Sequence, residues 1–176
     1  MYLSKQDIFV RLKRLDLRVA AEFDDYDGRF VLVIVGGGAL VLHDYISRVT
    51  RDIDVLQAAP SLYEFMEQYD INGRVNAHIF SFLYNFPDRV VLVWSGLKID
   101  YYTASLEDIV IAKICANRDN DWDDLRMIHS FINWDVLDRL VHDEEELSTL
   151  KMSDHLYSSF VFNYEIFERR YRSCKK

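Results

Sequence analysis

Cysteine is scarce in this chain, and the two present, Cys115 and Cys174, are too few and too badly placed for a disulfide framework or a zinc site. Both read as reduced thiols. No apolar run approaches the roughly 20 residues of a membrane span, and residues 1–12 carry Lys5, Asp7 and Arg11 where a secretory leader would have an apolar stretch. A cytoplasmic protein with no membrane partner is expected. Positive charge is also in short supply: 21 Lys and Arg stand against 29 Asp and Glu, a net charge of −8. That balance argues against a broad nucleic-acid-binding surface, although a local contact stays open. There is no Gly-Lys-Ser/Thr, which excludes a phosphate loop of that type, and Val41 stands where a dinucleotide fingerprint needs its third glycine. The five histidines show no ligand spacing with one another. With no repeat, low-complexity tract or linker, and with 50% hydrophobic residues, residues 1–176 are expected to form a single domain.

What the chain does have is concentrated between Phe30 and Leu56. Phe-Val-Leu-Val-Ile-Val, residues 30–35, is a short apolar run ended by glycine, the pattern of a strand buried on both faces. Gly36, Gly37 and Gly38 follow, where positive φ and close backbone approach are available, and a helix over residues 39–45 would aim its first amides at a ligand in that corner. Asp52 and Asp54 flank Ile53. In a strand they share one face while Ile53 and Val55 point into the core, their Cα atoms roughly 6.6 Å apart. Two carboxylates so placed suit hard divalent cations, Mg²⁺ or Mn²⁺, and aspartate is otherwise disfavoured in strands. A glycine corner for phosphate beside a carboxylate pair for metal is the layout of phosphoryl transfer.

Gly36-Gly37-Gly38-Ala39-Leu40 followed by Arg48-x-Thr50-x-Asp52-Ile53-Asp54-Val55 resembles the signature of the polymerase-β-type nucleotidyltransferase superfamily, in its small bacterial AbiEii-like toxin group. A second block, Leu106-Glu107-Asp108-Ile109-Val110-Ile111-Ala112-Lys113 with Arg118-x-x-Asp121-x-x-Asp124-Leu125, resembles a further run of the same group. Asn120 departs from it where lysine is usual, and His43-Asp44 replaces the commoner glycine-containing turn. The resemblance implies transfer of a nucleoside monophosphate from an NTP to an acceptor hydroxyl of RNA (tRNA), protein or a small molecule. It implies Mg²⁺ or Mn²⁺ on Asp52 and Asp54, and nucleotide contacts from Gly36, Gly37, Gly38, Arg48, Thr50, Lys113, Arg118, Asp121 and Asp124. The same resemblance implies a toxin with a cognate antitoxin partner. A catalytically silent module of this fold, binding a nucleotide or a protein, is the alternative.

Around this centre, residues 4–23 read as an amphipathic helix capped by Ser4, with Ile8, Leu12, Leu15 and Val19 at helical spacing. Residues 60–69 read as a further helix, Asn72-Gly73 as a turn, and 75–86 leaves helix and loop open. Strands are expected over 89–94 and 97–102, and helices over 105–117, 121–132, 134–142 and 154–172, the last ending in Arg169, Arg170, Arg172, Lys175 and Lys176. The fold expected is α+β: a small, twisted, mixed sheet flanked by helices over about 1–104, and a helical C-terminal part over about 105–176. Superfamily sites usually complete the metal shell with a third acid, for which the strand at 97–102 offers Asp100. Its face is opposite the apolar Leu97, Ile99 and Tyr101, and the period alone leaves that face as either cleft or solvent.

Overall fold

The computed structural model describes residues 3–47, 50–73 and 75–172, with only the backbone at 76–78. Arg48, Cys174, Lys175, Lys176 and the His78 side chain lie outside the described residues. The chain divides into two compact units, Met1–Ala77 with Val90–Ala104, and His78–Arg89 with Ser105–Lys176.

The first unit is built on a five-stranded sheet. Its strands are β1 (Phe30–Val35), β2 (Ile53–Gln57), β3 (Ile71–Asn72), β4 (Val91–Ser95) and β5 (Ile99–Thr103), in the order β3-β2-β1-β5-β4. The sheet is mixed: β1 runs antiparallel to β2 and parallel to β5, β3 is parallel to β2, and β4 and β5 form an antiparallel pair. Alternation supplies the core, because Leu32, Ile34, Ile53, Val55, Ile99 and Tyr101 are all fully buried. Helix α1 (Lys5–Glu22) buries Ile8, Leu12, Leu15 and Val19, each worth about 1.5–3 kcal/mol once removed from water. It starts at a capping box in which the Asp7 amide donates to Ser4 Oγ and the Ser4 amide donates to Asp7 Oδ2. The Tyr101 hydroxyl donates to the Leu12 carbonyl at 2.8 Å and its ring stacks on Trp94 at 5.2 Å, which ties α1 to β5 and β4.

Asp16, 2% exposed on α1, accepts from the amides of Leu97, Lys98 and Ile99 and so closes the β4–β5 turn. Gly96 makes that approach feasible, since a Cβ there would lie 2.4 Å from the Asp16 carboxyl carbon. Helix α2 is Gly36–Leu42, so the glycines form its first turn rather than precede it, and it ends before residue 45. A 3-10 turn, Pro60–Leu62, leads into α3 (Tyr63–Gln68). Asn72 is the second residue of β3 rather than part of a turn, and a two-residue strand has no periodicity by which a sequence could reveal it.

The second unit is helical: α4 (Leu106–Ala116), α5 (Asp119–Ile128), α6 (Trp134–His142) and α7 (Asp154–Tyr171). Side chains of Ser105, Asn133 and Ser153 cap α4, α6 and α7, and Asn117 at φ +52° ends α4 in the left-handed conformation. Helix α5 ends earlier than expected and passes into a 3-10 turn, His129–Phe131. The stretch left open at 75–86 contains the 3-10 helix Val75–Ser81, and another follows at Phe86–Arg89. Arg89 holds the unit together with bonds of 3.0 and 2.8 Å to the fully buried Asp108 carboxylate and further bonds to Glu146. Among the described residues no helix is long and apolar enough to cross a membrane.

Candidate functional site

The corner between β1 and α2 is set by Gly36, whose φ of +64° costs an L side chain about 1–2 kcal/mol. The loop and strand that follow lie directly against this corner. A Cβ on Gly36 would sit 3.6 Å from Asp54 Oδ2, one on Gly37 3.0 Å from Thr50 Oγ1, and one on Gly38 3.6 Å from the Asp52 carbonyl oxygen. Thr50 is itself pinned: its amide and carbonyl pair with those of Leu3, and its hydroxyl donates to the Asp52 carbonyl at 3.2 Å. The glycine run and residues 50–54, about fourteen positions apart in sequence, thus form one surface.

Asp54 sits in β2 opposite Val35, between Ile53 and Val55, which are both fully buried. Its own side chain is half-buried and turned to the other face. Asp52 lies one residue before the strand and is exposed, and among the described residues its carboxylate makes no hydrogen bond or ion pair. Asn72 pairs in register with Asp54 across β2 and β3, and its Nδ2 donates to Asp54 Oδ1 at 2.9 Å. Mg²⁺ is commonly held by one or two carboxylates together with waters and substrate phosphates. Asp54, whose Oδ2 lies beside the Gly36 corner, and Asp52, whose backbone carbonyl lies beside Gly38, supply hard oxygen donors of the kind that demand calls for. Among the described residues no three or more His, Cys, Asp or Glu gather as a complete protein cage.

The expectation for Asp100 needs correction. In the parallel β1–β5 pair Asp100 stands opposite Val31, whereas Asp54 stands opposite Val35, four residues further along β1. Four residues span about 13 Å, before the width of the intervening strand is added. Asp52 lies further still, past the end of β1. Asp100 does share the face of Asp54, a point the period left open, but parallel pairing puts it at the end of the sheet away from the glycine corner. There the Arg29 guanidinium grips it with bonds of 2.9 and 2.7 Å and holds its carboxyl below the usual range.

In the helical unit Lys113, Arg118, Asp121 and Asp124 come together. Lys113, 7% exposed, reaches Asp121 at 3.0 Å and Asp124 at 2.7 Å, and Arg118 Nε donates to Asp121 at 2.7 Å. Burial alone would raise the Asp121 carboxyl, but the bond from Arg118 and the charge of Lys113 outweigh it and hold it low. The cluster joins α4 to α5, and within their own unit its cations balance two buried carboxylates. Asn72, expected in a turn, instead places its amide on Asp54, a contact that no motif in the sequence signals. His43 is half-buried, its Nε2 2.7 Å from the Thr103 hydroxyl, and burial lowers its pKa.

Comparison with curated proteins and with solved structures gave no match. Comparison with sequence families gave one whose span takes in the glycine corner, both aspartates and the ion cluster of α4 and α5. Residues 10–172 match it over nearly the whole chain, and the chain belongs to the family described as "nucleotidyltransferase of unknown function" (DUF6036).

Proposed function

We propose that this chain transfers a nucleoside monophosphate from an NTP to an acceptor hydroxyl, in a reaction dependent on Mg²⁺ or Mn²⁺. The observation that carries the reading is the contact between the left-handed Gly36 corner and the Asp52–Asp54 segment, with Asp54 Oδ2 beside the space where a Gly36 side chain would be. Amides of Gly36, Gly37 and Gly38 would receive the β- and γ-phosphates, and Asp52 and Asp54 would hold the cation. When bound, that cation neutralises the triphosphate and favours departure of pyrophosphate. The acceptor oxygen forms a bond to the α-phosphorus, the bond from that phosphorus to the bridging oxygen breaks, and the hydroxyl proton leaves to solvent or a base. Such chemistry needs positioning and charge neutralisation more than reactive side chains, which suits a site of so few groups.

The acceptor class extends to tRNA, protein and small molecules. The motif resemblance favours a toxin acting beside a cognate antitoxin. A second reading, a catalytically silent module that binds nucleotide or protein, is favoured by one observation: among the described residues no third acid gathers with Asp52 and Asp54, Asp100 lying toward the other end of β1. Incubation with Mg²⁺ and each labelled NTP, with tRNA, total protein or small-molecule acceptors, separates the two. Label transfer that disappears in Asp52→Asn supports the enzyme. Metal-dependent NTP binding with no transfer to any acceptor supports the silent module.

A further inference from the structure

We propose that Asn72 is a positioning residue that orients the Asp54 carboxylate for the metal, an inference that rests on the metal site of the reading above. Strand β3 contains only Ile71 and Asn72, and its register puts Asn72 beside Asp54 in a parallel pair, so both side chains emerge on one face. Ile71 is 1% exposed and anchors the strand in the core, which leaves Asn72 as the group that β3 presents outward. Its Nδ2 donates to Asp54 Oδ1 at 2.9 Å. The other oxygen, Oδ2, is the one beside the glycine corner. One oxygen is thereby held to β3 while the second is directed at the space where cation and phosphate would meet.

The residue type fits this task. A lysine or arginine at position 72 would neutralise Asp54 and compete with the cation, and an aspartate or glutamate would repel Asp54 and withdraw the donor. A neutral amide fixes direction and leaves the negative charge in place. Partners of this kind set the orientation of ligating carboxylates, and losing one typically weakens metal binding about 10–100-fold. Asn72 is exposed at the end of its strand, and asparagine is depleted in strands, so its replacement by alanine leaves the fold intact.

The test is Mn²⁺ binding to the full chain, followed by the loss of the free-ion electron paramagnetic resonance signal, for wild type, Asn72→Ala, Asp54→Asn and the double variant. The proposal expects Asn72→Ala to weaken Mn²⁺ binding by about 10–100-fold with an unchanged thermal midpoint. It also expects no further weakening when Asn72→Ala is added to Asp54→Asn, because the amide acts through that carboxylate. Wild-type affinity in Asn72→Ala overturns the proposal and leaves the metal site standing. Losses that multiply in the double variant, or that accompany a fall in thermal midpoint, overturn it in favour of a general structural role. A wild-type chain that binds no Mn²⁺ removes the metal site, and the proposal with it.

Discussion

Asp54 and Asp100 are both aspartates in strands, on one face of one sheet, yet their surroundings differ. Asp54 lies against Gly36, while Asp100 is paired with Arg29 near the other end of β1. Asp100→Asn is therefore expected to leave metal-dependent NTP binding within about twofold of wild type, the pair it loses being a partly exposed one of modest worth. A titration of that variant checks this, and a loss of tenfold or more would return Asp100 to the site. Gly36→Ala tests the corner itself. The φ of +64° predicts a loss of about 1–2 kcal/mol of stability, readable by urea unfolding, and the added methyl beside Asp54 should weaken NTP binding. Here the sequence was legible in part. Period-2 alternation sets a residue apart from the apolar face of its own strand, and it did so for Asp54 and Asp100 alike. Position along the sheet depends on which strand pairs with which and in what direction, and no local pattern carries that.

At the scale of elements, the helices were the readable part because their ends are chemically marked. Ser4, Ser105, Asn133 and Ser153 each cap a helix whose start was expected within a residue or two. Strand β1, a short apolar run ended by glycine, was found at its expected limits. Strand β3 was hidden by its length, and with it the Asn72 contact. The stretch left open at 75–86 was opaque for another reason: it is held by residues far along the chain, the amides of Tyr84 and Asn85 donating to Glu146 and the Thr149 hydroxyl donating to the Phe82 carbonyl. The Arg89 guanidinium forks onto the Asp108 carboxylate, whose side chain is fully buried. Arg89→Met would leave that charge without its cation, a loss of about 3–5 kcal/mol. Thermal unfolding of the variant should show the transition that includes α4 many degrees below wild type. A shift of a degree or two would mean that Asp108 is satisfied without Arg89.

For the whole molecule, charge is the common thread: a chain of net charge −8 buries acids against local cations, Asp121 and Asp124 against Lys113 and Asp108 against Arg89. Asp121 shows the consequence for pH. Its folded pKa lies below the unfolded value near 3.9, so between the two the unfolded chain binds more protons and stability rises with pH. The contribution is fully present above about pH 5 and is lost as pH falls through the folded value. Stability followed from pH 6 to 3 should fall less steeply in Asp121→Asn than in wild type, and an equal fall in both would deny the pairing its part. A net negative surface also means that the triphosphate of an NTP must be received by a local feature rather than by the general field. Titration calorimetry of the wild-type chain with ATP, GTP, CTP and UTP, in Mn²⁺ and again in EDTA, addresses that feature directly. At least one NTP is expected to bind in Mn²⁺, with the binding abolished by EDTA and by either Asp52→Asn or Asp54→Asn while the chain stays folded. Binding of no NTP, or binding that persists in EDTA and in both variants, would contradict the proposed site.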